Sequence, residues 1–141
     1  MLLTKTIQSS ELEAAVGQPI GTSGWFEITQ EDVNAFADVT RDHQFIHIDA
    51  ERAAKTPFGT TIAHGFFTMS LLSHFAENGC ALEVEGAKMG LNYGCDKLRF
   101  LQPVKVGSRI RGHAELASVT EKKPGHFLLK SNMTVEIEGS D

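Results

Sequence analysis

Residues 65–79 have the sequence GFFTMSLLSHFAENG, which is the most apolar helical pattern in the chain. Apolar side chains occur nearly all round this helix, as expected for a helix buried in the centre of a domain. Asn78 and Gly79 are residues of the kind that end helices. The pattern therefore predicts a buried central helix. Its most apolar part, from Gly65 to Leu72, is too short to span a bilayer.

Three shorter helices are predicted before the central helix. The sequences of residues 9–17, 29–40 and 50–55 each carry a start or stop signal, such as a serine cap, first-turn acidic residues, glycine or a following proline. The second helix is the clearest, because Thr29 can cap it and apolar residues follow at helical spacing. The polar stretch of residues 41–49 is predicted to be an irregular loop.

Strand-like sequences dominate the rest of the chain. Residues 25–28, 91–101, 109–119 and 127–137 carry strand-forming residues, and turns containing proline and glycine separate the last three. Helices come first and long strands later. This order predicts one α+β domain over residues 1–141, in which a sheet wraps around the buried helix.

The composition is that of an ordinary globular protein. The 141 residues are 41% hydrophobic and 22% charged, and the net charge of −5 without a basic tract argues against nucleic acid as a partner. The N-terminal sequence lacks the apolar core of a signal peptide. Cys80 and Cys95 belong to no C-x-x-C pair, so we expect reduced thiols. These features predict a cytoplasmic protein that does not enter membranes.

The segment Asp42–Asp49, with the sequence DHQFIHID, is the richest in groups that can do chemistry. Asp42 and His47 lie five residues apart in a polar loop beside hydrophobic residues. A carboxylate and an imidazole in such a loop can hold one water from two sides and move a proton. A solvated loop with satisfied polar groups is the alternative interpretation of the same pattern.

His64 and Gly65 open the central helix. The first amides of a helix have no partner within the helix and favour negative charge. A glycine lets a ligand approach the backbone closely, so the amide at Gly65 could stabilise a developing oxyanion. A plain glycine at a helix start is an equally good interpretation.

Three sequence blocks together resemble a known family. They are the pattern Asp42-x-x-x-x-His47-x-Asp49, residues 61–70 with the sequence TIAHGFFTMS, and residues 92–100 with the sequence NYGCDKLRF. The first two resemble the MaoC-like, R-specific enoyl-CoA hydratase family, and the third resembles its NodN-like branch. The resemblance covers nearly the whole chain from Trp25 onward.

The resemblance implies a hotdog fold and a homodimer with sites at the subunit interface. It implies reversible hydration of trans-2-enoyl-CoA to (R)-3-hydroxyacyl-CoA in fatty acid metabolism, without a metal or an organic cofactor. The family's catalytic pair falls on Asp42 and His47, its helical serine on Ser70, and its oxyanion amide at or beside Gly65. Asp49 is a candidate hydrogen-bond partner of this site.

Two basic residues, Lys97 and Arg99, together with Lys105, could meet the phosphates of CoA, although solvent-facing strand charges fit the sequence as well. The chain departs from the family in two places. Gln44-Phe45 stands where members usually have Asn-Pro, so the rigid turn is expected to differ. Members also usually carry one more C-terminal strand, so the sheet is expected to lack an edge or the sequence to be truncated.

Other functions remain open at this point. A hotdog acyl-CoA thioesterase and a non-catalytic acyl-thioester-binding protein both fit the fold. Metal binding by His43, His47 and Asp49 is less favoured, since catalytic zinc needs a complete ligand set with a second shell. A serine triad with Ser70 is weak, because no G-x-S-x-G elbow surrounds it. Further residues are expected to be structural or surface histidines (His74, His113, His126) or core aromatics (Trp25, Phe36, Phe75, Phe127).

Overall fold

The computed structural model describes residues 5–140 and has the mixed α+β composition that the sequence predicts. The strands are β1 (Lys5–Ile7), β2 (Pro19–Thr22), β3 (Phe26–Glu27), β4 (Leu82–Val84), β5 (Arg109–Lys123) and β6 (His126–Ile137). The helices are α1 (Leu12–Ala15), α2 (Gln30–Thr40), α3 (Phe45–Ile48), α4 (Ala50–Ala53), α5 (Gly65–Ser70) and α6 (Leu72–Phe75). Contacts between residues divide the chain into two compact units, each built from three stretches. The single domain over residues 1–141 stays a prediction, and its ends at residues 1–4 and 141 lie outside the described part.

The first unit comprises the described residues up to Gly24 together with Leu72–Gly94 and Arg111–Glu136. In this unit β2 pairs antiparallel with β5, and β1 pairs in parallel with β4. β6 also pairs with β5. The link between them is Pro124-Gly125, where Gly125 has a φ of +80°. Proline followed by a glycine at positive φ suits a tight turn, so the two strands form a hairpin.

Helix α6 packs on this sheet within the first unit. Phe75 is completely buried. A Cβ at Gly112 of β5 would lie 3.0 Å from the Phe75 side chain, so only glycine lets the helix approach this closely. Ala114 and Leu116 continue the buried face of β5. The alternation predicted for this strand is therefore confirmed, and a helix covers its apolar face.

The second unit comprises Trp25–Leu71, Cys95–Ile110 and the described residues from Ile137 onward. Here β3 pairs antiparallel with the start of β5. Its core joins residues from α2, α4, α5 and β5 with residues from the segments that precede α2, follow α4 and precede β5: Ile28, Val33, Ala37, Ala53, Ile62, Phe67, Val104 and Ile110. Every candidate site residue predicted from the sequence lies in this unit.

Local signals predicted the helices well, with corrections at three places. The hydroxyl of Thr29 accepts the Asp32 amide at 3.1 Å, and α2 ends at Thr40, as predicted. The first helix begins as a 3₁₀ turn after Gln8, without the predicted serine cap. The segment predicted to be irregular contains the helical turn α3. The predicted helix over residues 65–79 is divided into α5, α6 and a π-helical turn.

One predicted strand is wrong. Residues 91–101 form no strand, whereas strands 25–28, 109–119 and 127–137 are present as β3, β5 and β6. A strand exists only when another strand takes its backbone hydrogen bonds, and no described strand of this chain pairs with these residues. Their neighbourhood carries large exposed apolar side chains: Met89, Leu91, Tyr93, Leu98, Phe100 and Leu101.

His113, predicted to be a structural or surface histidine, has an acidic partner that the local sequence does not show. Its Nε2 lies 2.6 Å from a carboxylate oxygen of Glu136, across the β5–β6 hairpin. Arg111 binds the same carboxylate and, with His113, holds the pKa of Glu136 below its usual range. The two residues are 23 positions apart, so their pairing follows from strand register and not from local spacing. None of the described helices has the length and apolar character needed to cross a membrane.

Candidate active site

Asp42 lies where helix α2 ends. Arg41 caps the helix in the left-handed conformation, with a φ of +67°, and no other described non-glycine residue has a positive φ. Such a conformation costs a non-glycine residue roughly 1–2 kcal/mol, so the surrounding contacts must hold it. The Asp42 carboxylate then accepts the amide of Gln44 at 3.3 Å and stays exposed. The reversal at Arg41 thus places an accessible carboxylate at the start of the loop.

The turn at Gln44-Phe45 keeps the conformation that Asn-Pro would have. Gln44 has a φ of −59° and a ψ of 136°, the extended region that a residue before proline prefers. Phe45 is the first residue of α3, a position that favours proline. The expected difference in this turn is therefore not found. The Arg52 guanidinium lies over the Phe45 ring, 4.2 Å from the ring centre, and helps to hold it in place.

His47 is buried, with 6% of its surface exposed. Its Nδ1 lies 2.7 Å from the carbonyl oxygen of Ile62. A carbonyl can only accept, so Nδ1 carries the hydrogen and the neutral ring has its lone pair on Nε2. Burial is the largest cause that lowers the pKa of His47, and the nearby His64 lowers it further, while the Ile62 carbonyl and Asp42 oppose this shift. His47 is therefore neutral near pH 7 and offers Nε2 as an acceptor.

A clamp that the sequence did not reveal holds α3 in place. The side-chain amide of Gln30 donates through Nε2 to the backbone carbonyl of His47 at 2.8 Å. The side-chain oxygen of Gln30 accepts the Thr61 hydroxyl at 2.6 Å. Thr61 is almost fully buried, and the Ile62 amide donates to Ile46. Gln30 lies 17 residues before His47, so no spacing rule would have found it.

His64 completes the cluster and was not assigned a role from the sequence. Its ring stacks on that of His47, with centroids 3.8 Å apart and an interplanar angle of 24°. Its Nε2 lies 3.0 Å from the backbone oxygen of Asp42. One ligand atom from each of Asp42, His47 and His64 lies within 4.8 Å of the others. The structure therefore brings the predicted pair together and adds a third polar side chain to it.

The cluster has the residue types of a metal site but not a favourable ring geometry. A metal binds an imidazole nitrogen in the plane of the ring, at about 2.0–2.1 Å for zinc. The planes of two stacked rings that are 24° from parallel do not meet near both nitrogens. The ligand set of His43, His47 and Asp49, which the sequence disfavours, is also not assembled, because Asp49 caps α4 through the Arg52 amide and His43 bonds Asp38. The arrangement suits hydrogen bonding to a small polar molecule better than metal ligation.

The remaining predicted residues are not part of this cluster. The amide of Gly65 has no acceptor within residues 5–140, and a Cβ at this position would lie 2.8 Å from the ring of Phe100. Ser70 is exposed and donates to the carbonyl of Phe66 within its own helix. Lys97 and Arg99 are exposed in the irregular segment. The roles assigned to these residues stay predictions.

The sequence around this site also matches a known protein family, and the match covers most of the chain. A family model described as "MaoC like domain" matches residues 11–136. The chain belongs to the MaoC-like dehydratase family. The predicted family resemblance is therefore confirmed, and the catalytic pattern and the glycine that opens α5 both lie inside the matched region.

Two relatives and one solved structure are similar to the MaoC-like chain over most of its length. It is 49% identical to the 3-hydroxyacyl-thioester dehydratase Z of Mycobacterium tuberculosis, covering 96% of this chain and 89% of the relative. It is 44% identical to the Nodulation protein N of Rhizobium meliloti, covering 96% and 84%. The solved (R)-hydratase of A. caviae, described as involved in PHA biosynthesis, has a TM-score of 0.69 at 27% identity and covers 88% of this chain and 86% of that one. The likeness confirms the predicted hotdog fold.

A shallow groove of about 480 Å³ lies beside the cluster of this MaoC-like chain. Phe36 lines the groove and also contacts the ring of His64, with centroids 4.9 Å apart. The volume falls within the range of about 300–1,000 Å³ that is usual for small-molecule sites. Its lining is almost entirely apolar: Phe26, Asp32, Ala35, Phe36, Val39, Phe67 and Leu71.

Proposed function

We propose that this protein hydrates trans-2-enoyl-CoA thioesters to (R)-3-hydroxyacyl-CoA and catalyses the reverse dehydration. The observation that carries the proposal is the cluster in which the Asp42 carboxylate and the neutral His47 ring lie within 4.8 Å of each other. The reaction class agrees with the similarity to proteins named as a dehydratase and an (R)-hydratase. At the level of a hydratase or dehydratase lyase, the prediction from the sequence is confirmed.

The geometry suits the capture of one water. Two acceptors that share one water through its two hydrogens lie about 4.5 Å apart, because each hydrogen bond spans about 2.8 Å. The Asp42 carboxylate is one acceptor, and Nε2 of His47 is the other, since its Nδ1–H is committed to Ile62. The water oxygen bonds the β carbon as Asp42 takes one of its protons. Nε2 holds no proton of its own, so the proton that Asp42 took is the one delivered to the α carbon.

The oxygen of the thioester carbonyl gains negative charge during this attack. The Gly65 amide at the start of α5 is the donor that we assign to it, since no described residue accepts its hydrogen. Lys97, Arg99 and Lys105 supply positive charge for the phosphates of CoA. Ser70 lines the site in this proposal, although its hydroxyl is bonded to its own helix.

The acyl chain fits the apolar groove. Phe36 connects the groove to His64, and thus to the cluster, through direct ring contact. Each methylene group of the acyl chain that this lining removes from water stabilises the bound substrate by about 0.8 kcal/mol. Val39 of α2 lines the groove. We propose that Val39 contacts the longer acyl chains.

A second copy of this chain is the partner that we propose for the exposed apolar segment of residues 89–101. Leu91 is 82% exposed and Tyr93 is 83% exposed, while the segment forms no strand within the chain. Pairing with another copy would supply backbone partners and cover these side chains. A native mass of two chains by sedimentation equilibrium is expected, and a monomer at micromolar concentration would contradict the proposal.

The protein is proposed to act in the cytoplasm, without a metal or organic cofactor and without nucleic acid as a partner. The two cysteines are free, Cys80 buried and Cys95 exposed, which suits a reducing compartment. CoA enters as part of the substrate.

The test is Asp42→Asn, assayed with crotonyl-CoA by loss of enoyl absorbance. Asparagine keeps an oxygen that can accept the Gln44 amide but cannot take a proton, so turnover should fall about 10²- to 10⁴-fold. Asp38→Asn is the matched control, because that carboxylate lies on α2 only four residues before Asp42 and bonds His43. Retention of near wild-type turnover by a folded Asp42→Asn variant would make the acid–base assignment wrong.

Two alternatives give different products. A thioesterase would release free CoA thiol, whereas hydration leaves the thioester intact. A non-catalytic acyl-thioester-binding protein would bind CoA esters with no turnover across crotonyl to dodecenoyl chains. The paired acceptors of Asp42 and His47 favour hydration over both.

A further inference from the structure

His64 is the most buried titratable side chain of the site, and the reaction as proposed gives it no task. Only 2% of its surface is exposed. Its ring contacts the ring of His47, with centroids 3.8 Å apart, and the ring of Phe36, with centroids 4.9 Å apart. Burial, two ring contacts and a hydrogen bond to Asp42 restrict the orientation of this side chain.

The hydrogen bonds of His64 determine its tautomer. Nε2 lies 3.0 Å from the backbone oxygen of Asp42, which can only accept, so Nε2 carries a hydrogen. Nδ1 is buried and has no hydrogen-bond partner within the described chain. His64 therefore donates through Nε2 to the backbone of Asp42.

We propose that His64 is a positioning residue for hydration: it holds the backbone of Asp42 through Nε2 and supports the neutral ring of His47 through stacking. The proposal rests on the assignment of Asp42 and His47 as the acid–base pair. Asp42 is exposed and follows the left-handed Arg41, and its backbone amide has only a long bond of 3.4 Å to the Thr40 hydroxyl. His64 supplies a bond from the buried side of the site to this exposed loop.

The stacking contact acts on His47. The orientation of its ring is set by Ile62 at one nitrogen and by the face of His64. Within the described residues, Asp42 and His64 are the titratable groups whose charge acts on His47. The charged groups on the neighbouring helices, among them Asp38 on α2 and Arg52 on α4, have other partners. Ile62 therefore occupies Nδ1 of His47 and His64 covers its face, which leaves Nε2 of His47 to bind the water.

Two substitutions separate the two contacts. His64→Phe keeps a ring for stacking but removes the donor to Asp42. His64→Gln keeps an amide donor at a similar reach but removes the ring. His43→Gln is the matched control, since His43 is adjacent to Asp42 in sequence, exposed, and bonded to Asp38. Circular dichroism and thermal unfolding establish that each variant is folded.

The assay is steady-state hydration of crotonyl-CoA. Misplacing the water-binding groups by about 1 Å costs up to about 10²-fold, so we expect kcat of His64→Phe to fall about 10- to 100-fold. The KM should stay within about threefold, because CoA contacts are untouched. His64→Gln should keep more activity than His64→Phe, and His43→Gln should equal wild type. If His64→Phe does not fold, His64→Gln carries the test through the same split between kcat and KM.

A double-mutant cycle distinguishes positioning from general damage. If His64 acts through Asp42, His64→Phe should cost little once Asp42→Asn is present. Multiplicative losses in the double variant, a rise in KM with unchanged kcat, or wild-type kcat in His64→Phe would each overturn the proposal. An active Asp42→Asn enzyme would instead refute the proposed function itself, so the two failures are distinguishable.

Discussion

Removal of the Gln30 side chain is expected to destabilise the protein through α3. Gln30→Ala takes the donor from the His47 carbonyl and the acceptor from the buried Thr61 hydroxyl. Each of these bonds is worth about 0.5–1.5 kcal/mol. A third bond, to Asn34 on the exposed helix face, adds about 0.2–0.5 kcal/mol. The sum is about 1–3.5 kcal/mol, which corresponds to roughly 4–12 °C in Tm for a chain of this length.

The measurement is thermal unfolding by circular dichroism at one fixed protein concentration, because self-association raises Tm. Asn34→Ala is the control, since it removes only the exposed bond and should cost about 0.5 kcal/mol or less. We also expect Gln30→Ala to lower kcat for crotonyl-CoA, because the carbonyl of His47 loses its anchor. If the Tm of Gln30→Ala lay within about 1 °C of that of Asn34→Ala, the two buried bonds of Gln30 would contribute almost no stability. That result would refute the proposal that Gln30 holds α3 in place.

Three further predictions concern the same unit. Because burial lowers the pKa of His47, kcat/KM should fall on the acidic side with a midpoint below pH 6.5. The free energy of unfolding should also fall as the pH drops from 6.5 towards that lower pKa, since the unfolded chain binds the proton first. An NMR titration midpoint of His47 at or above 6.5 would contradict both expectations. Gly65→Ala places a Cβ 2.8 Å from the Phe100 ring and should lower turnover about tenfold. Gly90→Ala is the control, because its Cβ meets nothing within 4 Å. Equal activity of the two variants would show that the space beside Gly65 is unimportant for turnover. Gln44→Asn supplies the side-chain cap that α3 lacks and should stabilise the fold by about 0.5–1 kcal/mol in urea unfolding, and an unchanged midpoint would count against it.

Local signals determined most of the helices and the hairpin. The Thr29 cap and the periodicity after it predicted α2 to its last residue, because capping and side-chain facing depend on neighbours within one turn. Pro124-Gly125 predicted a turn between two long strands for the same reason. The family resemblance implied that Asp42 and His47 act together, whereas their five-residue spacing alone also fitted a solvated loop. The structure brings a ligand atom of each within 4.8 Å of the other.

Strand pairing was less predictable. Residues 91–101 have the composition of a strand, yet they form none, because β-structure requires a partner and composition does not state where one lies. His113 and Glu136 meet across the hairpin in a register that neither local sequence contains. A contact of this kind depends on how two strands align.

The sequence on its own was sufficient for the family, for helix α2 and for naming Asp42 and His47 as a candidate pair, since each rests on residues that are neighbours along the chain or on a pattern with fixed spacing. Folding was needed to bring His64 and Gln30 to that pair from 17 residues away on either side of His47. Burial by the folded chain is also what keeps His47 neutral, because the loss of water around a ring depends on every segment packed against it.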